Sequence, residues 1–382
     1  MFAERSAAVK VAFLSFGFEE YSIRLASALI REAEVLLLLP DELQERRLSY
    51  LDRSVRFGPF VKPRLRQPLR QIRMIAALLQ RIRQYDPDVI HLQQGHFWFN
   101  LALPLLRRYA LVLTIHDPRY HVGDRESQKT PQAIMEFGFR RASQIIVHGR
   151  QLKQMVVDEL HVPEEIVHVV PMIALGDDSA QTTCEEQEGL VLFFGRIWEY
   201  KGLEYLIRAE PLITAQLPEA KIVIAGQGED FTRYRRMMRH PERFVVYNEY
   251  VSDEKGAELF QQASVVVLPY IDATQSAVIP VAYTFAKPVV ATTVGSLPEM
   301  VEPGQTGYLV PPRDEQALAD AIVRLLRDKA LRQRMGANAR NKVENEYSAG
   351  AVAHQTLSVY ERAVRDRSAQ TRRSDRKAGL PV

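Results

Sequence analysis

Short apolar runs alternate with longer amphipathic stretches along the chain. The runs at 9–16 (VKVAFLSF), 33–40, 88–94, 110–117, 144–149 and 167–171 have strand length and lack strict polar alternation. This predicts strands buried on both faces of a parallel sheet. Helices are expected between them, at 22–33 and at 73–85, where Ile75, Leu78, Leu79 and Ile82 fall on one face. The rhythm breaks over 172–189, a polar, acidic stretch with no periodic apolar face, which reads as an interdomain linker plus a loop. It resumes with strand candidates at 190–196, 221–228, 244–251, 264–270, 288–295 and 306–312, and helical patterns at 203–217 and 317–328. Two successive βα series of domain size imply an α/β protein with two doubly wound, Rossmann-like domains facing across a cleft. The expected division is 1–172, a linker at 173–189, 190–349, a final helix at 350–366 and a tail at 367–382.

A length of 382 residues agrees with two to three domains. A hydrophobic fraction of 46% and a charged fraction of 25% exclude a disordered chain, a collagen-like fibre and a disulfide scaffold. Cys184 is the single cysteine, so neither an internal bridge nor a multi-cysteine metal site can form. The longest apolar runs fall well short of the ~20 residues that cross a bilayer. Glu4 precedes the first apolar run and Glu19 and Glu20 follow it, so that run reads as a strand, not a secretory signal, and the cytosol is the expected compartment.

A net charge of +3 gives no global nucleic-acid signal. Two segments depart from this balance. The tail from 362 holds seven basic and two acidic residues and few large apolar ones, which predicts disorder. Segment 45–84 holds eleven basic residues against Glu45 and Asp52, with Phe57, Phe60 and Val61 interleaved. Such a patch suits an anionic membrane surface or a lipid-diphosphate-linked acceptor. It reads equally as a solvated loop balanced in three dimensions. No recognition motif accompanies the arginines, so no nucleic-acid partner is expected.

Candidate chemistry lies at strand ends, where doubly wound folds place ligands. Gly195-Arg196 and Lys201-Gly202 flank the loop that enters a helix. Two cations beside a helix N-terminus suit a diphosphate; the same two side chains could also simply be solvated. Gly226 and Gly228 form a glycine pair after the next strand. The loop Asp272-Ala273-Thr274-Gln275-Ser276-Ala277-Val278 leads from a strand into an apolar helix, offering hydroxyl, amide and free backbone N–H groups, with Ser276 or Thr274 available as a cap. In the first half, His116-Asp117 ends one strand, and His91, Gln93, Gln94 and His96 with Phe97 and Trp98 end another. His96 and the aromatic pair suit an acceptor pocket or, equally, core packing. Gly17 follows the first strand. No metal-ligand cluster is evident.

The order Gly195-Arg196, Lys201-Gly202, a Gly-x-Gly strand end, the Leu-Pro loop, Lys287-Pro288-Val289-Val290-Ala291-Thr292, Gly295, Pro298-Glu299 and Gly307 resembles the retaining family-4 glycosyltransferases, which have the GT-B fold. The resemblance covers the second domain nearly completely and the first more loosely. It implies an acceptor-binding first domain, a nucleotide-sugar-binding second domain and a final helix that crosses back to the first. It implies that Gly195, Arg196 and Lys201 bind the donor diphosphate, and that Tyr250 and Val251 contact the base through their backbone. Donor contacts are also implied for Gly226 and for the loop from Asp272 through Thr274, Gln275, Ser276, Ala277 and Val278. His116 is assigned to the donor sugar, and Gly17, His96 and Trp98 to the acceptor side.

Many members carry two glutamates eight positions apart around that loop. Here Ala273 and Val281 occupy those positions, Gln275-Ser276-Ala277 looks like a Gln-Ser-Gly variant, Asp272 is a substitute carboxylate, and Ala286 replaces the usual glycine before Lys287. The expected activity is retaining transfer from a UDP- or GDP-sugar to a glycan or lipid-linked acceptor, in polysaccharide or glycoconjugate synthesis. Neither a cofactor nor a metal is expected, and peripheral contact with an anionic membrane through 45–84 is. The missing glutamates favour one rival, a non-catalytic nucleotide-sugar-binding or scaffold homologue. A GT-B nucleotide-sugar epimerase is the other.

Overall fold

The computed structural model describes residues 8–43, 45–93, 95–119, 130–176 and 184–377. Contacts divide them into two units. The first takes the described residues up to 119, those from 130 to 173 and those from 349 onward; the second takes those between 174 and 348.

The first unit is built on seven parallel strands: β1 (Val9–Ser15), β2 (Ala33–Leu38), β3 (Arg56–Phe57), β4 (Val89–Gln93), β5 (Ala110–Thr114), β6 (Gln144–Val147) and β7 (Val167–Val169), in the order β3-β2-β1-β4-β5-β6-β7. β4, β5 and β6 are buried at every residue, which accounts for their unalternated sequences. Register sets Phe13 beside His91 and His91 beside Val112. The helix Pro68–Tyr85 turns Ile75, Leu78, Leu79 and Ile82 inward, the face its spacing predicts.

The second unit has six parallel strands: β8 (Leu190–Phe194), β9 (Lys221–Ala225), β10 (Phe244–Tyr247), β11 (Val265–Leu268), β12 (Val289–Thr292) and β13 (Gly307–Val310), in the order β10-β9-β8-β11-β12-β13. Both sheets reverse direction of growth beside their first strand, between β1 and β4 and between β8 and β11. In such sheets the crevice at the carboxyl ends of those two strands is where ligands bind.

Three expectations need correction. The strands are shorter than the apolar runs: 244–251 becomes Phe244–Tyr247 and 110–117 becomes Ala110–Thr114, so Tyr250, Val251, His116 and Asp117 stand in loops past the ladders. The pair Arg56–Phe57 is a strand too short to leave a periodic signal. The final helix runs Ala349–Lys377, so the tail expected to be disordered from 367 is helical as far as Lys377. Its inner turns bury Val352, Tyr360 and Ala363, and the arginine-rich outer turns continue a helix already nucleated. Residues 378–382 lie outside the described residues, as do 177–183 of the expected linker. What is described of that linker is anchored: Glu186 accepts from the buried Arg332 at 2.9 and 3.1 Å and from Ser264 at 2.9 Å. Among the described residues no helix is long and apolar enough to cross a membrane.

Ala286, where the family resemblance puts glycine, has φ 52. A side chain in that region costs about 1–2 kcal/mol, partly offset because glycine loses more backbone entropy on folding, about 0.5–1 kcal/mol. We expect Ala286→Gly to raise the unfolding free energy by about 0.5–1 kcal/mol. Urea unfolding followed by circular dichroism checks this, and a lower midpoint would contradict it.

Candidate active site

In the second unit the chemistry gathers where β8, β9 and β11 end. After Phe194 the chain turns through Gly195 at φ 114. Arg196 follows on the exposed side, and its guanidinium donates to Tyr200 Oη at 3.2 Å. A single turn, Glu199–Lys201, leads to Gly202 at φ 63 and into the helix Leu203–Thr214. A β-carbon on Gly202 would stand 2.0 Å from the Pro269 carbonyl oxygen. Only glycine lets the end of β11 press against this helix entrance. That contact sets the Lys201 ammonium 3.8 Å from the Tyr270 ring centroid and 4.9 Å from that of Tyr200, inside the range of a cation–π interaction. Tyr200 and Tyr270 are both buried. Neither is singled out by a sequence motif, although Tyr200 lies between the two expected cations and Tyr270 ends an expected strand.

The loop after Tyr270 is tied to the same place. The Ile271 N–H donates to the Tyr200 carbonyl at 2.9 Å, and Thr292 Oγ1 donates to the Tyr270 carbonyl at 2.6 Å. Thr274 and Ser276 are buried, Gln275 is half-buried, and Asp272 and Ala277 are exposed. Ser276 Oγ accepts from the Val278 N–H at 3.2 Å, just before the helix Val278–Thr284, whose N-cap position is Ala277. A β-carbon on Gly195 would meet Val278 at 3.6 Å, which brings the end of β8 to the start of that helix. Gly226 packs its backbone on Gly195 and donates to the Tyr247 carbonyl at 2.9 Å. Tyr250 is 61% exposed and Val251 half-buried beyond β10. Ala273 belongs to the core, and Val281 packs beside it.

In the first unit His91 lies in the middle of β4, and His96, His116 and His148 stand just beyond the ends of β4, β5 and β6. His116 is buried, 2.6 Å from the Gln93 amide, with Phe18 stacked on its ring at 4.1 Å and His148 at 4.8 Å. His148 Nδ1 lies 2.8 Å from the Val170 carbonyl. His91 bridges Tyr360 Oη at 2.6 Å and Thr114 Oγ1 at 2.7 Å. His96 stacks on Phe16 at 4.1 Å. The Trp98 N–H donates to the Leu65 carbonyl at 3.0 Å and its ring packs on the core, which is the packing role. Gly17 has open space around its α-carbon. Gln94 lies outside the described residues. His148 and Phe18 escape sequence reasoning; the only signal for His148 is its place at a strand end before Gly149. Among the described residues, no three histidine, cysteine or carboxylate side chains converge as metal ligands.

Burial dominates the titration of these imidazoles. It pushes His91 down to about 3, with His148 adding repulsion. It pushes His96 down to about 4, helped by Lys62, and His148 to about 4 against its bond to Val170. His116 falls well below the ordinary value through burial first and His148 second. All four are neutral near pH 7 and offer hydrogen bonds, not charge. A histidine held neutral stabilises the fold above its unfolded value near 6.5, and that stability is lost as pH falls. The loss is about 1.4 kcal/mol per pH unit for each group still neutral in the fold. We expect the urea midpoint of the first unit to drop steeply between about pH 6.5 and 5. Trp98 fluorescence in a Trp198→Phe variant reads that unit alone, and a flat profile would contradict the burial argument.

Comparison with known proteins adds a family to this geometry. A family model described as "Glycosyltransferase Family 4" matches residues 17–172, and one described as "Glycosyl transferases group 1" matches 188–328. An uncharacterized glycosyltransferase of Methanocaldococcus jannaschii is 30% identical over 257 residues, 63% of this chain and 65% of that protein. The alpha-D-kanosaminyltransferase of Streptomyces kanamyceticus is 28% identical over 269 residues, 65% of this chain and 70% of that one. The match thus spans about two thirds of each relative's length. The crystal structure of Anabaena HepE in complex with UDP-glucose aligns with a TM-score of 0.65 at 19% identity, covering 92% of this chain and 99% of that one, a likeness of fold. With one family model on each sheet and that alignment running through both, the chain belongs to the family-4 glycosyltransferases and has the GT-B fold.

Proposed function

We propose that the protein is a retaining hexosyltransferase that moves a sugar from a nucleotide-diphosphate donor, a UDP- or GDP-sugar, to a glycan or lipid-linked acceptor. The observation that carries this reading is the pair of cations at the end of β8, Arg196 bonded to Tyr200 and Lys201 held over Tyr270. Aromatic faces attract the ammonium and fix its orientation at the strand end. A structural neighbour of the same fold holds UDP-glucose.

In this reaction the bond between the anomeric carbon and the phosphate oxygen breaks, and a bond from the acceptor oxygen to that carbon forms on the same face. The proton of the acceptor hydroxyl passes to the departing phosphate. Negative charge grows on that phosphate, and Arg196 and Lys201 are the groups that stabilise it. They take the neutralising part that a divalent ion plays in other phosphate sites, so no metal or cofactor enters the proposal. His116, neutral and fixed beside Gln93, serves as a hydrogen-bonding contact to the donor sugar.

A second reading, a nucleotide-sugar-binding homologue without turnover, is favoured by one observation. Ala273 is buried in the core and Val281 packs against it, so neither position supplies a carboxylate.

We expect Arg196→Ala and Lys201→Ala each to lower kcat by about 100-fold or more. Arg196 is exposed, so its replacement should move stability by less than about 0.5 kcal/mol. Transfer assays with thermal unfolding of the same variants check both statements, and full activity in both variants would remove the phosphate site. Thermal shift with UDP-, GDP- and ADP-sugars identifies the donor, because a ligand bound only by the folded state raises its stability. Binding titrated by calorimetry with neither transfer nor donor hydrolysis would select the second reading.

A further inference from the structure

The proposed transfer leaves one feature of the first unit without a role. From Arg53 to Tyr85 the sequence holds nine basic residues and no acidic one. The structure folds this stretch into β3, an extended segment over 58–67 and the helix Pro68–Tyr85. The flanking Arg47 and Arg108 pair with Glu19 and Asp86. Arg64, Arg66, Arg70, Arg73, Arg81 and Arg83 have no carboxylate partner among the described residues. Asp41 is the one carboxylate among the described residues that line the groove beside Arg70, Arg73 and Arg81.

Large apolar side chains stand among these cations. Val61 is 69%, Leu69 73% and Ile72 55% exposed. Leu69, Ile72 and Arg73 share one helix face at i, i+3 and i+4. Beside that face lies an open groove of about 530 Å³, with Phe60, Met74 and Leu78 as its floor and Arg70, Arg73 and Arg81 around it; Asp41 also lines it. Exposed aliphatics alternating with unpaired arginines fit a surface that is anionic outside and apolar just beneath. A nucleic acid would meet the arginines but would draw nothing from Leu69 and Ile72, since neither can stack on a base. The segment is also tied to the end of the sheet that carries His96. Lys62 donates to the Phe16 carbonyl, and Trp98 to that of Leu65.

We propose that this face docks on an anionic phospholipid bilayer. Val61, Leu69 and Ile72 enter the boundary between headgroups and acyl chains, and Arg66, Arg70 and Arg73 meet lipid phosphates. The docking is independent of the proposed transfer, and would bring a lipid-linked acceptor to the acceptor side.

Sedimentation of the full chain with vesicles tests this. Vesicles of phosphatidylcholine and phosphatidylglycerol should bind it, vesicles of phosphatidylcholine alone should not, and salt should weaken the binding. Arg70→Gln with Arg73→Gln should weaken vesicle affinity about 30-fold, and Leu69→Ser with Ile72→Ser about tenfold or more, with circular dichroism unchanged in both. The proposal is overturned if the chain ignores anionic vesicles, binds both kinds equally, or binds them unaffected by loss of Leu69 and Ile72. Displacement from vesicles by duplex DNA together with that last result would reassign the surface to nucleic acid. Neither donor nor acceptor is present, so failure here leaves the transfer reading standing.

Discussion

The second unit depends on how closely one strand end can approach one helix entrance. Gly202 supplies that approach, since any β-carbon there would overlap the Pro269 carbonyl. Several features follow from the contact. The Tyr200 carbonyl receives the Ile271 N–H, so the loop before the helix Val278–Thr284 is fixed relative to the loop before Leu203–Thr214. Lys201 comes over Tyr270, and Arg196 reaches the hydroxyl of Tyr200. The buried rings meet the two cations differently: their faces attract Lys201, and the Tyr200 hydroxyl accepts from Arg196. The arrangement of cations and rings is thus set by the fold itself.

The strand ends of the two units carry different polar groups. In the second, the cations at the end of β8 stay near the surface, Arg196 exposed and Lys201 half-buried. In the first, His91, His96, His116 and His148 are taken inside, and burial removes their charge. Hydrogen bonds and ring contacts offset part of the cost of placing imidazoles in a core, although His96 Nδ1 and Nε2 and His148 Nε2 have no hydrogen-bond partner among the described residues. His91 has a partner on each nitrogen, His116 meets Gln93, and Phe13, Phe16 and Phe18 stack on His91, His96 and His116. A neutral imidazole in a fixed orientation distinguishes hydroxyl patterns without attracting phosphate.

The parallel sheets were legible because buried strands of this kind are unbroken apolar runs, and twelve such runs correspond to twelve of the thirteen strands. Their ends were not, because hydrophobicity does not stop where a ladder stops. Tyr250 and Val251 continue an apolar run past the last paired residue of β10. The tail was misread because charge and low hydrophobicity argue for disorder only in an isolated segment. Appended to the turns that bury Tyr360 and Ala363, the same arginines extend a helix. At the site, Arg196, Lys201 and His116 stand out by residue type and position. Tyr200, Tyr270 and His148 do not, because their part is set by who stands next to them in space. Ala286 shows the converse: the expected glycine points to a backbone angle, and the angle persists at φ 52 without it.

The variant loop then has a physical interpretation. Ala273 is buried, and its carbonyl faces Gly295 so closely that a β-carbon on that glycine would stand 1.7 Å away. A carboxylate at 273 would therefore enter a packed strand end and need its own hydrogen-bond partners there. Val281 likewise packs against the core. The loop is consistent with its own neighbours, with Thr274 accepting from the Ser296 N–H and Ser276 from the Val278 N–H. Apolar side chains at 273 and 281 leave the loop without a carboxylate at either position, so the uncharged polar groups it carries are the hydroxyls of Thr274 and Ser276 and the amide of Gln275, whose hydrogen bonds are directional but carry no charge.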